Sequence, residues 1–238
     1  ISADGAFNMD YRIRVLNVLE RDMILAFNLD MNCNGTFSKK RKTGTKHSLS
    51  AYSVGATDVF QFEQAIEGFN FADMAWGTAN AQPVTLSFWV RSSLTGTFGG
   101  SLLNWAGNRS YPFSYTISSA NTWEQKSVTI VGDTTGTWAG ATNAGALQLY
   151  FSLGTGSTYS GSANAWAGAY YGSVTGATSV VGTSGATWYI TGVQLEVGTA
   201  ATGFDYRPYG LELKLCQRYY QVSAPDGPEI VGVAYYLT

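Results

Sequence analysis

The stretch ATWYITGVQLEVGTAATGFDYRPYGLELKLCQRYY, residues 186–220, combines a strand pattern, a turn-rich segment and a helix pattern. β-Branched and aromatic residues are frequent in its first third and predict a strand. Six residues of one parity are expected to share a face of it: Thr187, Tyr189, Thr191, Val193, Leu195 and Val197. Gly192 interrupts the pattern, which predicts a β-bulge or a close approach of another backbone. Beyond Pro208, apolar residues recur at a helical spacing, at Leu211, Leu215 and Tyr219, and predict one short amphipathic helix.

Alternation with a period of two residues recurs upstream and is clearest at residues 84–91. Apolar and other side chains alternate there as on a strand with one buried face: Val84, Leu86, Phe88 and Val90 against Thr85, Ser87, Trp89 and Arg91. Residues 146–153 repeat the pattern, and shorter strands are predicted at 59–67, 102–103, 111–117 and 123–131, with a turn at 95–98. About nine strands with almost no helix predict an all-β protein, an antiparallel β-sandwich with minor helical turns. Periodicity alone does not distinguish a jelly roll from an immunoglobulin-like sandwich.

Several short motifs occur together along the chain: IEG at 66–68, WGTANAQ at 76–82, VTLSFWV at 84–90, NTW at 121–123, TGTW at 135–138, YITGVQLEVG at 189–198, Ala201-Thr202 with Phe204, and Glu212-Leu213 with CQRYY at 216–220. In combination they resemble the jelly-roll, carbohydrate-binding-module-like C-terminal domains of bacteriophage tail-fibre and other virion structural proteins. The resemblance covers residues 60–220. It implies a jelly-roll sandwich in a non-enzymatic virion protein that is assembled in the host cytoplasm and acts at the host cell surface. It also implies a homo-oligomer, most often a trimer, with other virion proteins as partners.

Three sections are expected along the chain. Residues 1–58 form N-terminal strands or a linker to a preceding shaft, residues 59–220 the jelly roll, and residues 221–238 a C-terminal strand extension. Within the first section, residues 12–19 predict a strand and residues 24–29 a partner for it.

The composition excludes several classes of protein. Charged residues make up only 13% of the chain, about half the usual share, and Asp133 is the one charge between Ser127 and Glu196. Such a surface is expected to be kept soluble by hydroxyls and amides or to be covered by another subunit. The net charge of −2 gives no electrostatic reason to expect nucleic-acid binding. The sequence contains no uninterrupted apolar run of about 18 residues, so no membrane-spanning segment is expected.

Residues for catalysis or metal binding are scarce. His47 is the only histidine, and Cys33 and Cys216 have no metal-ligand spacing, so a Ser/His/Asp triad and a zinc site are disfavoured. No cofactor is expected, although a structural calcium ion held by carbonyl and carboxylate oxygens stays open. Glycoside hydrolysis needs only two carboxylates, and six acidic residues are candidates: Glu63, Glu67, Asp73, Glu124, Asp133 and Glu196. Each has a structural explanation, so we expect no catalytic residues. A polysaccharide depolymerase and a decoration or connector module without ligand are the alternatives.

Aromatic residues are abundant, with seven tryptophans and fifteen tyrosines. The apolar face of a sugar ring stacks on aromatic planes, and its hydroxyls bind amides and hydroxyls. Trp166, Tyr170 and Tyr171 lie in a long uncharged loop, and they are the predicted binding residues for a host-surface glycan; alternatively, they anchor the loop on the sandwich or fill a subunit interface. Four further tryptophans are predicted to pack structurally: Trp76, Trp89, Trp123 and Trp188. The basic run at residues 39–42 predicts a solvated loop or, alternatively, a contact with lipopolysaccharide phosphates.

Overall fold

The computed structural model of the chain describes residues 22–25, 29–32, 51–205 and 208–210. In these ranges the chain forms β1 (Asp22–Leu25), β2 (Leu29–Asn32), β3 (Val59–Glu67), β4 (Val84–Ser92), β5 (Gly96–Asn104), β6 (Ser110–Ile117), β7 (Glu124–Ile130), β8 (Gly145–Thr155), β9 (Ser160–Gly161), β10 (Ser173–Val174) and β11 (Thr187–Val197). The helical content of the same ranges includes three short 3-10 turns, Gly68–Asn70, Ala72–Met74 and Ser157–Tyr159. The prediction of an all-β protein with minor helical turns is confirmed.

The strands form two antiparallel sheets. Sheet I has the order β1-β11-β4-β7, with β2 pairing a second part of β11, and sheet II has the order β3-β8-β5-β6. The short strands β9 and β10 pair with each other and belong to neither sheet. Since β1 and β2 both pair with the same edge of β11, we count them as one strand, and the two sheets then have eight strands together. In chain order these eight lie as 1-8-3-6 in sheet I and 2-7-4-5 in sheet II. The first two strands are therefore in opposite sheets, whereas an immunoglobulin sandwich pairs them. This order is that of a jelly roll.

The hydrophobic core lies between the two sheets and confirms the strongest strand patterns. From sheet I, Leu86, Phe88 and Val90 of β4 are fully buried, as the alternation at 84–91 predicts. From sheet II, Phe151 of β8 places its ring centroid 5.0 Å from that of Phe88. Complete burial of each such side chain contributes about 1.5–3 kcal/mol, so this row fixes which face of each sheet is inside.

The strand β11 corrects the predicted single face of 187–197. Its register against β4 shifts between Thr191 and Gln194, and Gly192 takes the left-handed φ of 59°, so the predicted bulge is confirmed. Because a bulge inserts one residue, it reverses which parity points inward. The buried core residues of this strand are Trp188, Ile190, Val193 and Leu195.

The predicted turn at 95–98 is placed too late. β5 begins at Gly96 and pairs with β6 from its first residue, and Phe98 is fully buried. A buried ring in register with Tyr115 outweighs the turn preference of the preceding threonine and glycine residues.

The outer face of sheet II is covered by residues 156–185 of the same chain. Ser110 of β6 donates its hydroxyl to the Ala169 carbonyl at 2.7 Å and accepts the Tyr171 amide at 3.2 Å. Polar side chains on this outer face are consequently buried, among them Glu63, whose exposed fraction is 0%. The side-chain amide of Gln148 donates to Oε1 of Glu63 at 2.7 Å.

Several predictions lie outside the described residues: the strand at 12–19, the predicted helix from Leu211 on, the extension at 221–238, His47, the basic run at 39–42 and both cysteines. Tyr209 and Gly210, the two described residues after Pro208, are helical. The predicted strand at 24–29 appears instead as β1 and β2, and both pair with β11. The described part of the chain has no helix with the length and hydropathy of a membrane span.

Candidate functional site

The three residues predicted to bind sugar are packed against the sandwich. Trp166 donates its indole N–H to the Val131 carbonyl at 2.8 Å, and its ring is 5.1 Å from that of Trp76. Tyr170 packs edge-on against Tyr159, with ring centroids 5.4 Å apart. Tyr171 lies so close to Gly161 that a Cβ there would overlap its ring. These contacts fit the alternative interpretation, in which the rings anchor the loop, and sugar binding by them stays a prediction.

A buried ion pair holds the loops around Trp166 together. Arg109 donates from Nε and Nη2 to the Asp133 carboxylate at 2.7 and 2.6 Å, and Asp133 is 1% exposed. Thr135 adds a backbone and a hydroxyl donor at 3.1 and 3.0 Å, and the Trp138 indole donates at 3.3 Å. Burial alone would raise the pKa of Asp133, but the hydrogen bonds from Arg109 and Thr135 together hold it below its usual value. The TGTW motif at 135–138 therefore has a structural role here.

Two other candidate carboxylates are also engaged locally. Glu124 accepts Lys126 Nζ at 2.6 Å and the Ser118 and Ser119 amides at 2.9 and 2.8 Å. Glu196 accepts the Thr202 amide at 2.8 Å and its hydroxyl at 2.7 Å. Both groups have lowered pKa values: Glu124 chiefly through the bond from Lys126, and Glu196 because the bonds from Thr202 and Gln194 outweigh the effect of burial.

The pair Glu196–Thr202 fastens a segment across one half of the outer face of sheet I. This strap, residues 198–205, also accepts the Thr85 hydroxyl at the Gly198 carbonyl at 2.8 Å and donates the Asp205 amide to Gln194 at 3.2 Å. The motif residues Ala201-Thr202 and Phe204 lie within it. The strap buries Glu196, Gln194 and Thr85, each at most 4% exposed, although they lie on the outer side of the sheet.

The other half of that outer face carries exposed aromatic side chains. We call Trp89, Arg91, Trp123 and Tyr189 the aromatic face. Trp89 and Trp123 are 41% and 37% exposed, so the prediction that they pack structurally is wrong for these two, whereas it is confirmed for the buried Trp76 and Trp188. The alternation along β4 could have identified Trp89 as an exposed residue, since it points to the face of the strand opposite to that of the buried Phe88 and Val90.

The aromatic face is assembled from three neighbouring strands of sheet I. Trp89 of β4 lies between Thr191 of β11 and Gln125 of β7 in the register. One step along, Arg91 is in register with Tyr189, and its guanidinium carbon lies 4.9 Å from the centre of the Tyr189 ring. The Trp123 ring is 6.4 Å from that of Tyr189. Flat rings, a cation and amide and hydroxyl groups thus share one open surface.

The acidic side chains of the described residues do not cluster as metal ligands. In these ranges no group of three or more His, Cys, Asp or Glu side chains is placed to hold a metal ion. A structural calcium site held by carbonyl oxygens and one or two carboxylates stays a prediction.

Comparisons with known proteins include a weak structural similarity. No protein-family model matches the chain, and no curated protein sequence matches it significantly. A solved structure described as "CBM4 structure and function" aligns with 61% of this chain and 67% of its own, at 15% sequence identity and a TM-score of 0.34. A similarity of this strength assigns neither a ligand nor a residue role.

Proposed function

We propose that this chain is a non-enzymatic carbohydrate-binding domain that holds a saccharide on its aromatic face. The observation that carries the proposal is the pair of exposed tryptophans, Trp89 and Trp123, beside Tyr189 on the open half of sheet I. Burying such rings removes large apolar areas from water. Leaving two indoles exposed on one regular sheet face therefore favours a ligand with an apolar side.

A saccharide matches both the chemistry and the size of this surface. Axial C–H groups of a pyranose stack on an indole, while its hydroxyls require the hydrogen-bonding groups that Thr191 and Gln125 offer on either side of Trp89. Neighbouring strands are about 4.8 Å apart and alternate residues about 6.6 Å apart. Three strands and two rows then span about 10 by 7 Å, which is enough for one or two sugar rings.

We further propose that the domain belongs to a phage tail fibre or similar virion appendage and binds a host-surface glycan there. The combined motifs at residues 60–220 support this setting. In it, the chain would form a homo-oligomer, a trimer, and contact other virion proteins. The sequence-predicted residues Trp166, Tyr170 and Tyr171 are not part of the proposed surface.

A glycan array followed by calorimetry tests the proposal. The variants Trp89→Ala and Trp123→Ala are each expected to weaken binding of an array ligand at least tenfold, which corresponds to about 1.4 kcal/mol. Trp105→Ala is the matched control, because Trp105 is 39% exposed but follows β5 in sheet II.

Two results would contradict the proposal. One is an array with no saccharide bound by the folded protein. The other is a saccharide whose affinity is unchanged in both Trp89→Ala and Trp123→Ala.

A further inference from the structure

We propose that the ligand is an acidic saccharide and that Arg91 receives its carboxylate or phosphate group. This inference rests on the proposed function, because it concerns the same aromatic face. It adds the chemical class of the sugar, which the stacking rings alone leave open.

The first support is the position of Arg91 within the face. It stands on β4 two residues after Trp89, so both side chains leave the strand on its outer side. Its guanidinium lies over the Tyr189 ring at 4.9 Å, and the Tyr189 ring contacts that of Trp123. The cation is therefore held among the rings on which a sugar would stack, and the cation–π contact limits its conformations.

The second support is that Arg91 has no anionic partner among the described residues. Its Nε is buried and has no hydrogen-bond partner, and it forms no ion pair with a described residue. The other partly buried cations differ, since Arg109 and Lys126 each hold a carboxylate at 2.6 Å. A buried N–H without an acceptor costs about 1–3 kcal/mol. A bound oxyanion offsets such a cost.

The third support is that two carboxylates of sheet I, those of Glu124 and Glu196, are held by other groups. Glu124 starts β7, in register with Val90, and its oxygens accept from Lys126, Ser118 and Ser119. Glu196, at the other end of β11, is held by Thr202.

The chemistry of the guanidinium narrows the ligand further. Its planar N–H donors match the two oxygens of a carboxylate or phosphate and are always charged. A neutral sugar would leave that capacity unused beside the aromatic rings. Uronic acids, sialic acids and phosphorylated sugars all combine a stackable ring with a suitable oxyanion.

The test compares matched saccharides on the full chain. Acidic oligosaccharides on an array are probed as they are, after chemical reduction of their carboxyl groups to alcohols, and after phosphatase treatment. The natural protein is expected to bind the untreated acidic saccharide at least tenfold more tightly than the form that has lost its anionic group, which is the reduced form for a carboxylate and the phosphatase-treated form for a phosphate. The two treatments distinguish a carboxylate from a phosphate.

Variants of Arg91 assign the effect. Arg91→Gln should abolish this preference, so that the acidic and the treated, neutral saccharide bind with equal affinity. Arg91→Lys should keep part of the preference, because it retains the charge but loses the planar pair of donors. Thermal unfolding of each variant confirms that the fold is intact.

The outcomes separate the two proposals. Equal binding of acidic and neutral forms, or a preference that survives Arg91→Gln, overturns the role of Arg91 while sugar binding stands. An Arg91→Gln variant that loses the neutral saccharide as well makes Arg91 a positioning residue and also overturns it. Absence of binding to every form instead removes the proposed function.

Discussion

Replacing Asp133 by Asn changes one charge in the cluster that joins three loops at one end of the sandwich. The natural carboxylate accepts two hydrogen bonds from Arg109, two from Thr135 and one from the Trp138 indole. Asparagine has nearly the same shape but only one acceptor oxygen. Its NH₂ group would face N–H or O–H donors that the second carboxylate oxygen accepts in the natural protein. Arg109 then stays in place without a counter-charge.

The structure sets the magnitude of the loss. Removing one partner of a buried ion pair costs about 3–5 kcal/mol. Asp133 is 2% exposed at its side chain but Arg109 is 18% exposed, so the arginine can partly reach water and the lower end applies. We expect the free energy of unfolding to fall by about 3 kcal/mol. At about 2–4 °C per kcal/mol for a chain of this size, the melting temperature should fall by about 6–12 °C.

The loss should also depend on pH. The folded-state pKa of Asp133 lies below its usual value, so the ionised carboxylate stabilises the fold above the unfolded-state pKa of about 3.9. This contribution is lost as the pH falls through the folded-state pKa. The difference between the natural protein and Asp133→Asn should therefore be constant between about pH 5 and 7 and shrink below about pH 4.

Urea unfolding followed by tryptophan fluorescence measures these effects. Glu124→Gln is the control: the Glu124 side chain is 16% exposed against 2% for Asp133, so its loss should shift the urea midpoint less. A double-mutant cycle with Arg109→Met isolates the pair. The reasoning is refuted if Asp133→Asn and Glu124→Gln shift the midpoint equally, or if the cycle gives no interaction energy.

The remaining predictions concern the strap, a tight backbone contact and the core. Thr202→Ala removes the hydroxyl donor to Glu196 and should cost about 1–3 kcal/mol and speed hydrogen exchange within residues 198–205; unchanged exchange there would contradict the role of this bond. Gly156→Ala should destabilise by about 1–3 kcal/mol, because a Cβ would overlap the Gly55 and Ala56 carbonyls, whereas Gly140→Ala meets nothing within 4 Å; equal melting temperatures would refute the contact. Trp188→Ala empties a fully buried site and should cost about 3–5 kcal/mol by urea unfolding, and a cost as small as that of a surface change would show that the core is placed wrongly.

The sequence predicted which side chains of a single strand face the core where the alternation along that strand decides it. The buried face of β4 followed from Val84, Leu86, Phe88 and Val90, because strand periodicity directly determines which side chains face the core. Gly192 indicated the bulge, but its consequence for the facing of Val193 and Leu195 depends on where the extra residue falls in the register with β4. Register between strands about a hundred residues apart is not contained in either local pattern.

The candidate site was harder to predict for the same reason. Trp166 and Tyr170 lie in a glycine-rich, uncharged loop, which is typical of a binding loop, but their partners are distant in the sequence: the Val131 carbonyl just after β7 for Trp166, and Tyr150 of β8 for Tyr170. Trp89 and Trp123 lie 34 positions apart in the sequence and come to the same end of sheet I only because β4 pairs with β7, which Trp123 precedes. The side chains of the aromatic face could be named in advance only with the strand order known.

A titration observed by NMR tests the account most directly. The seven tryptophan indole N–H groups give separate signals that single substitutions assign, and an acidic oligosaccharide bound by the protein on the array is the titrant. The account predicts that the indole signals of Trp89 and Trp123 and the Arg91 Nε–H signal shift, while those of Trp166 and Trp188 stay. Shifts confined to Trp166 and its neighbours in residues 156–185, with Trp89 and Trp123 unchanged, would contradict it.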